Sequence, residues 1–535
     1  MRRRASFDES HEEVINNVKI KFTDLLDNNT EGMVGSYLEQ MSGHLALARV
    51  GIKSRKDYNK IINKVKEGYN IPEVAKKYST KLGNKRQKFE LDVLETIYKQ
   101  IVGIPTEKNL KGGINTVLRY LRKYNYANVF NQVGFSQLPE LGNVISQAGI
   151  RGMIKYIPEF KNILTRAKNG KVNNELLNEL ETVVSGTGSN RLIDSTINRT
   201  DDFAGMTTKV GKVEKVLDIS NRITSDFSGF HAVDTLSRRL AAITAFDKLA
   251  MHATGKLKVT DAVLKRYRNI GFDDDELQAV FKNIRENSSF IEGGLTGRKI
   301  RRLNVDQWKD QDLVNKMSLY MSRHLRRVVQ ENNYGEMIVL STESGLAKSM
   351  MQFRNFVFTA YSKQLLHGMH MRDFTAFASA TSSAFIASLV YIGQTHIQSL
   401  GKSEDEKQDF LDKKLSIESI AKASFQRSTY STLLPAFYDT GQAVTGGEQQ
   451  FNYRSSGLDI NLWTGNPTIS LISKAFSPTS GAIPSIGRAI RDDEYDFSKQ
   501  DAYKLKTILP FQNMLGITNV LQHLIDESDL PSKSK

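Results

Sequence analysis

The chain has 535 residues, more than one domain usually holds, so we expect two to four domains. Its 39% hydrophobic and 25% charged residues are ordinary globular values and exclude disorder throughout. The lack of cysteine excludes disulfides, thiolate zinc sites and cysteine nucleophiles. Net charge is +15, which favours a polyanionic neighbour such as nucleic acid or an anionic membrane, although scattered surface lysines give the same count.

Helix-favouring composition dominates the chain. It contains only 10 prolines and few strictly alternating strand patterns. We therefore predict a mainly α fold: an elongated, multi-segment helical protein with an irregular, Gly/Ser/Asn-rich C-terminal region. The predicted segments are 1–84 (N-terminal, helical), 85–190 (helical), 191–340 (central, helical), 341–402 (Met/Phe-rich and apolar membrane-competent helices) and 403–535 (C-terminal, helical and irregular).

At the N terminus, HEEVINNVKIKFTDLL (residues 11–26) is interpreted as helical. The arginines at positions 2–4 are followed by the polar run FDESHEEV, so no export signal is expected. Gly/Ser-rich clusters at 185–190 and 292–299 predict loops, as do TGGEQQ and TGNPT nearer the C terminus. From about 440 to 485 helical patterning weakens.

Helix start and stop signals are clear in the middle of the chain. The stretch TDAVLKRYRNIG has the capping pair Thr260–Asp261 and ends at Gly271. Asp273–Glu276 then place negative charge at the start of the next helix. Further on, Ser403 with Glu406 predicts a capping box.

The stretch DLVNKMSLYMSRHLRRVVQ (residues 312–330) has apolar residues every three or four positions and predicts an amphipathic helix. Its core-facing stripe comprises Val314, Met317, Met321, Leu325 and Val328. Basic residues decorate the same helix, and GRKIRR (297–302) is a compact basic cluster. Such residues form either a solvated face or contacts with phosphates. The candidate DNA-backbone contacts are Arg298, Lys299, Arg301, Arg302, Arg323, Arg326 and Arg327.

The stretch TESGLAKSMMQF (342–353) contains Glu-Ser-Gly and then Ser-Met-Met-Gln. It resembles the Glu-Ser acid motif and the Gly-x-Met-Gln motif of lytic transglycosylases. In that family a couple of dozen residues separate the motifs, whereas here they would share one turn or helix and could not face each other across a cleft. We therefore interpret Glu343 as a carboxylate at the start of a Met/Phe-rich helix that leads into the apolar segment.

No other motif with known chemistry is present. HGMH, with His367 and His370, lacks the spacing and the glutamate of a helical zinc pair. There is no phosphate-binding loop and no Gly-x-Ser-x-Gly elbow. The sequence therefore predicts no catalytic, cofactor-binding or metal-binding residue, no cofactor and no enzyme.

After Asp373, 28 residues pass before the next charge at Lys402. That length spans a hydrocarbon core of about 30 Å at about 1.5 Å per residue. Serines dilute the segment, so a membrane-competent helix and a buried core helix both remain open. The run before it, rich in Phe and Met, is typical of an interfacial or partner-binding helix. The candidate membrane-interacting residues are Phe353, Phe356, Phe358, Phe374, Phe377, Phe385, Ile386, Leu389, Val390 and Ile392.

Longer runs carry a family resemblance. They are IVGIP, LRYLRKYNYANVFNQVGFSQLPELGNVISQAGIRGMIKYIP, GLAKSMMQFRNFVFTAYSKQLLHGMHMRDF, YIGQTHIQSLG, FLDKKLSIESIAKASFQRSTYSTLLPAFYDT, YRSSGLD and GNPT. Together they resemble the internal virion proteins, or ejection proteins, of short-tailed bacteriophages, and more narrowly the C-terminal part of the largest internal core protein. The resemblance covers residues 85–515.

The resemblance implies a structural protein stored inside the capsid and ejected with the genome, which helps form a conduit for DNA across the host periplasm and inner membrane. The implied partners are other internal virion proteins, the portal, the phage DNA (bound without sequence preference), the host inner membrane and further copies of the chain. Large members carry an N-terminal transglycosylase domain whose motifs are missing here, so that activity is not carried over. The alternatives are a peptidoglycan-cleaving transglycosylase and a soluble DNA-binding assembly or scaffold module.

Overall fold

The computed structural model describes residues 12–15, 18–21, 30–104, 113–129, 133–149, 152, 155–156, 175–184, 212–291, 297–329, 344–352, 355–400, 402–431, 433–451, 467–476, 482–484, 497–514 and 516–532. Within these ranges the regular structure is almost entirely helical, which confirms the predicted mainly α fold. The chain divides into two compact units, one formed by residues 1–110 and 201–215 and the other by residues 111–200 and 216–535.

The first unit contains a short hairpin and four helices. They are β1 (Glu12–Ile15), β2 (Val18–Lys21), α1 (Thr30–Arg49), α2 (Arg55–Gly68), α3 (Pro72–Tyr78) and α4 (Lys81–Ile101). A small core joins Leu47 of α1 to Tyr58 of α2, and to Tyr98 and Val102 at the end of α4. The predicted segment boundary after residue 84 falls inside α4, so it does not coincide with a break in the helix.

The helical interpretation of residues 11–26 is wrong for the part that the structure describes. β1 and β2 pair antiparallel, with Glu12 opposite Lys21 and Ile15 opposite Val18. The sequence contains the reason: Val-Lys-Ile-Lys alternates with period two, and two asparagines separate the strands, which is a common turn composition. The period-two signal spans only four residues. The helical composition of the rest of the chain therefore dominates the prediction for residues 11–26.

In the second unit, α5 to α7 precede the helices that build the main core. The helices are α5 (Gly113–Val129), α6 (Val133–Gln137), α7 (Leu141–Ala148), α8 (Glu175–Val183), α9 (Lys212–Phe227, whose first turn belongs to the first unit), α10 (Phe230–Ala253), α11 (Asp261–Ile270), α12 (Asp274–Asn287) and α13 (Gln311–Val328). Between α12 and α13, β3 (Ser289–Ile291) pairs antiparallel with β4 (Lys299–Arg302).

Helix α10 lies at the centre of this unit. Every residue from Asp234 to Thr244 is buried, so the helix is enclosed around its circumference rather than on one face. Leu240, Ile243 and Phe246 are fully buried in the main hydrophobic cluster, together with Trp308. Burial on this scale is the main stabilising contribution expected for the unit.

The predicted caps and the amphipathic stripe are confirmed. Thr260 accepts a hydrogen bond from the Val263 N–H, and Gly271 ends α11 at φ 124°. Asp273 and Glu276 form a reciprocal capping box on α12. All five predicted stripe residues of α13 are buried: Val314, Met317, Met321, Leu325 and Val328.

The rest of the second unit is also helical. It comprises α14 (Gly345–Met351), α15 (Asn355–Ala360), a π-helical turn (Tyr361–Leu366), α16 (His367–Met371), α17 (Phe374–Ser399), α18 (Glu404–Lys414), α19 (Ile417–Arg427), α20 (Leu434–Thr445), α21 (Pro467–Phe476), α22 (Lys499–Ile508) and α23 (Ile517–Asp526). Ser403 caps α18 by accepting from the Glu406 N–H at 3.4 Å. Gly446, at φ 77°, ends α20 within the predicted TGGEQQ loop.

The described part of the C-terminal region is more helical than its Gly/Ser/Asn-rich composition suggests, because α20 and α21 both lie between residues 434 and 476. Residues 452–466, which include YRSSGLD and the start of TGNPT, lie outside the described residues, as does the predicted loop at 185–190.

Candidate functional site

Helix α17 is the described helix that is long and apolar enough to cross a membrane. It begins at its cap Asp373, whose carboxylate accepts the Ala376 N–H at 2.9 Å, and runs for 26 residues without Asp, Glu, Lys or Arg. This is the segment for which the sequence left two interpretations open. The burial of its side chains shows whether α17 is a core helix or a helix that exposes an apolar face to its surroundings.

The polarity of α17 is the reverse of that of a typical core helix, which buries its large apolar residues and exposes its polar ones. Its buried side consists of small and polar residues at helical spacing: Ser379, Ser383, Ala387, Tyr391, Gln394, Thr395 and Ser399. Its exposed side carries Phe374 (81% exposed), Phe377 (68%), Phe385 (64%) and Leu389 (52%). We call these four residues the aromatic face. They lie along one side of the helix, with the exposed Thr381 between Phe377 and Phe385. Exposed apolar groups clustered on one face mark interaction sites with proteins or membranes.

The close packing of α7 explains why the small side of α17 faces inward. Gly142 of α7 approaches the α17 backbone so closely that a Cβ atom there would lie 2.4 Å from the Ser383 nitrogen. Nearby, the Ser146 and Ser379 hydroxyls share a hydrogen bond. Only small side chains permit such an approach between two helices, as they do in membrane helix pairs.

Polar contacts fix the same side of α17 to the segment around α19. The Ser383 hydroxyl accepts the Thr429 N–H at 3.0 Å and also hydrogen-bonds the Thr429 hydroxyl. Tyr391 donates to the Lys414 carbonyl at 2.8 Å, and the Arg427 guanidinium lies 5.1 Å from the centre of its ring. These bonds satisfy the polar groups of the buried side, and none of the ones formed between described residues involves a side chain of the aromatic face.

An ion pair anchors the start of the helix. Arg266 on α11 donates two hydrogen bonds of 2.6 Å to the Asp373 carboxylate, a bidentate arrangement. Burial raises the pKa of Asp373, but the bonds from Arg266 and from the Ala376 N–H outweigh it and leave the pKa below its usual range. The cap of α17 is therefore charged at neutral pH and tied to the main core.

The structure brings part of the predicted membrane-interacting set together. Phe374, Phe377, Phe385 and Leu389 share the aromatic face. Ile386, Val390 and Ile392 are half-buried on the same helix, and Phe358 is half-buried on α15. Phe353 lies outside the described residues, and the side chain of Phe356 is also outside them.

The Met/Phe-rich helix predicted to start near Glu343 is interrupted before the apolar segment. Helix α14 ends at Gln352, which adopts extended backbone, and Arg372 at φ 50° separates α16 from α17. A π-helical turn, Tyr361–Leu366, lies between these two breaks. Ser344, rather than the adjacent glutamate, caps α14 by accepting the Ala347 N–H, and Glu343 lies outside the described residues.

The Ser-Met-Met-Gln residues are held by α5. Arg122, fully buried, donates to the Gly345 carbonyl at 2.7 Å and to the Ser349 hydroxyl at 3.1 Å. Gln352 donates to the Arg122 carbonyl at 2.7 Å, and Asn125 reaches both Gln352 and Thr468. The two motif residues Ser349 and Gln352 are thus buried in a structural network.

The seven candidate DNA contacts fall on two elements. On the β3–β4 hairpin, Arg301 donates two hydrogen bonds to a single carboxylate oxygen of Glu175, Arg302 lies 3.8 Å from Asp306, and Arg298 covers the Phe290 ring. Lys299 lies 5.3 Å from the centre of the Tyr156 ring. On α13 two of the basic side chains bond to the end of helix α11: Arg323 donates to the Ile270 carbonyl and Arg327 to the Asn269 side chain. The backbone carbonyl of Arg326 accepts from Lys363.

Sequence reasoning missed the polar network of α5. Arg122, Asn125 and Asn128 are buried, although the helix reads as basic and polar. Asn128 donates to the Thr507 and Leu509 carbonyls, so α5 joins segments more than 370 residues apart. The sequence offers one hint of this network: α5 has no wide apolar stripe. That hint does not identify hydrogen-bond partners so distant in the chain.

No protein-family model, curated protein or solved structure matches the chain. Within the described residues, no group of three or more His, Asp or Glu side chains is arranged to hold a metal ion.

Proposed function

We propose that this chain is a non-enzymatic structural protein stored inside the capsid of a short-tailed bacteriophage and ejected with the genome, where it helps form the conduit for DNA across the host periplasm and inner membrane. Its membrane-active element is α17. Other internal virion proteins, the portal, phage DNA, the host inner membrane and further copies of the chain are the proposed partners.

The inverted polarity of α17 is the observation that carries the proposal. A helix with its small polar residues packed inward and its phenylalanines outward is already arranged to meet lipid without unfolding its protein contacts. The exposed Phe side chains each offer about 1.5–3 kcal/mol of transfer free energy when buried in an apolar phase. The resemblance of residues 85–515 to internal virion proteins supplies the biological setting.

The transglycosylase alternative is weakened by the setting of its motif. Ser349 is 1% exposed and Gln352 is 5% exposed, and both bond to α5 rather than line a groove. A sugar-cleaving acid needs an accessible cleft with a substrate-binding groove. The soluble DNA-binding alternative shares the charge of the proposed protein but requires no lipid affinity.

Mass spectrometry of purified phage particles tests the proposal. The chain is expected in full particles and depleted from particles triggered to release their DNA. A portal subunit and a major capsid subunit, which stay with the shell, serve as retained controls. If the chain is absent from full particles, or is retained with the shell after DNA release, the ejection role is refuted.

A further inference from the structure

A cavity of about 250 Å³ lies beside the start of α17, between α10, α11 and α13. It is far larger than the ~10–15 Å³ that one water molecule needs, and it approaches the ~300 Å³ at the lower end of ligand pockets. Most of its wall is apolar, including Val144, Ile270, Met321 and Val328. Phe374, the first residue of the aromatic face, also lines it.

Two polar side chains on α10 line this cavity, and their hydrogen-bonding capacity is only partly used by the described residues. Lys248 and His252 are four residues apart, so they lie on one side of the helix. Lys248 donates to the Gln147 carbonyl at 2.8 Å, and no carboxylate pairs with it among the described residues. His252 is 5% exposed, and neither ring nitrogen completes a hydrogen bond there, although the Leu257 backbone lies close to the ring. Buried polar groups left in this state cost free energy that a ligand would recover.

The remaining charges of the lining do not neutralise Lys248. Asp373 is the single carboxylate among the described lining residues, and both of its oxygens bind Arg266. Burial lowers the pKa of Lys248, as does the nearby Arg266, and the attraction of Asp373 acts in the opposite direction. The cavity therefore combines an amino group that no described carboxylate pairs with, an imidazole able to donate one N–H, and a largely apolar wall. An ammonium group has three protons to donate, and Lys248 uses one of them on Gln147.

We propose that this cavity binds an acyl chain with a carboxylate or phosphate headgroup. The headgroup lies on Lys248 and His252, and the chain lies against Ile270, Met321 and Val328. A free fatty acid and an anionic phospholipid share this chemistry. The choice of a membrane phospholipid as the natural source rests on the proposed membrane function, whereas binding of a soluble amphiphile does not.

Titration calorimetry on the full chain tests this site. The anionic probes are decanoate and dihexanoyl-phosphatidylglycerol, each below its micelle concentration, and decyltrimethylammonium is the cationic probe of matched chain length. Saturable binding of at least one anionic probe and none of the cationic probe is expected. Decanoate alone points to a free fatty acid, and the phosphatidylglycerol alone points to a phospholipid. Equal binding of the cationic probe, equally tight binding of inorganic phosphate, or no saturable binding of either anion overturns the site.

A variant pair locates the headgroup. Lys248→Met removes the ammonium group but nearly keeps the length of the side chain. The control, Lys256→Met, removes an exposed ammonium group just after the end of α10. Binding should weaken at least about tenfold in the first variant, as loss of one charge-assisted hydrogen bond implies, and stay unchanged in the second. Wild-type affinity in a folded Lys248→Met protein overturns the assignment. If that variant does not fold, the comparison of anionic and cationic probes on the unaltered chain decides.

A third variant separates this site from the proposed function. Phe377→Ser with Phe385→Ser removes half of the aromatic face, and neither residue lines the cavity. It should lose binding to phosphatidylglycerol vesicles and keep the calorimetric affinity for the soluble probe. Vesicle binding by a wild-type chain that ignores soluble probes refutes the cavity alone. Probe binding without vesicle binding refutes the membrane role alone.

Discussion

At the residue scale, Gly142 sets the distance between α7 and α17. A Cβ atom there would lie 2.4 Å from the Ser383 nitrogen and 2.6 Å from the Ser382 carbonyl carbon, both backbone atoms that cannot rotate away. The close contact brings the small side of α17 inward and so determines which side faces out. A single glycine therefore bears on the orientation of the aromatic face.

Gly142→Ala should destabilise the fold by about 1–3 kcal/mol, because the helices must separate to admit the methyl group. The free energy of unfolding from urea titration measures this. Gly441→Ala is the matched control, since its added Cβ meets nothing within 4 Å inside α20, and it should gain about 0.5–1 kcal/mol. Equal stability of the Gly142 variant and the wild type would show that α7 and α17 are not in close contact.

Two histidines at the cavity make the fold sensitive to acid. Burial, with Lys248 nearby, lowers the pKa of His252 to about 4, and burial in a cationic setting lowers that of His324 to about 3. The cationic groups that lower the pKa of His324 are Lys248, Arg327 and Arg266, and His367 adds to them only when it is protonated. Unfolded histidine titrates near pH 6.5, so between about pH 6.5 and pH 3 the unfolded chain binds more protons than the folded one.

The stability supplied by these groups is therefore fully present above about pH 6.5 and is lost as the pH falls towards 3–4. Urea unfolding at pH 7.5 and pH 5 should show a lower free energy of unfolding at pH 5. His324→Gln should flatten this dependence, while His44→Gln, at an exposed position in the first unit, should leave it intact. An unchanged slope in a folded His324→Gln protein would contradict the account.

Residue-level features were predictable when their partners were close in sequence. Thr260, Asp273 and the α13 stripe were all found, because caps and helical periodicity act over three or four residues. Arg122 and Asn125 were missed, because their partners lie more than 200 residues away. The setting of His252, whose ring nitrogens complete no hydrogen bond with the described residues, could not be predicted for the same reason, because it depends on how three helices meet.

At the element scale, α17 has features of both interpretations that its sequence left open, a buried core helix and a membrane-competent helix. It is packed against protein on its serine side and exposed on its phenylalanine side, so it is neither a core helix nor a helix surrounded by lipid. Its length and apolar content were readable from the sequence. Which side faced out was not, because that depends on Gly142 and Thr429.

Two substitutions on α17 test this polarity. Ser383→Leu overfills a fully buried site and breaks the bonds with Thr429, so it should cost about 2–4 kcal/mol of stability. Phe385→Ser, two residues further on and 64% exposed, should change stability by no more than about 0.5 kcal/mol. Urea unfolding of both variants measures the difference. The reverse order of costs would mean that the helix faces the other way.

For the N-terminal hairpin, in contrast, the sequence does contain a usable local signal, but the helical prediction overrides it. Four residues of alternation between Val18 and Lys21 were outweighed by the helical character of the whole chain, although local period-two patterning is the stronger guide over so short a stretch. In the same way, the Met/Phe-rich run before α17 has the composition of one helix but is broken at Gln352 and Arg372. Composition alone does not locate such breaks.

At the scale of the whole molecule, the +15 charge is expected to act as a non-specific screen for DNA. Several candidate contacts, such as Arg301 with Glu175, are engaged within the protein, so only some of the seven basic residues are expected to contact phosphate directly while the net charge acts on DNA at longer range. A conduit needs screening without a gripping site, because tight binding would stall the passage of DNA.

Binding to duplex DNA should therefore fall steeply with salt and show no sequence preference, as measured by fluorescence anisotropy on two unrelated duplexes. Arg302→Gln, a substitution at a partly exposed residue of the basic hairpin, should reduce the slope of log affinity against log salt by about 1, as the loss of one phosphate contact does. Arg86→Gln, an exposed arginine in the first unit, should leave the slope unchanged. Salt-independent affinity, or a strong preference for one duplex, would contradict this account.

The central claim is that the aromatic face of α17 enters lipid, and labelling tests it most directly. Because the chain has no cysteine, Phe385→Cys and Val444→Cys each carry one environment-sensitive NBD fluorophore at a defined exposed position. With phosphatidylglycerol vesicles, the label at position 385 should brighten and shift to the blue, while the label at position 444 on α20 should not change. No response at position 385, or the same response at both positions, would contradict the claim.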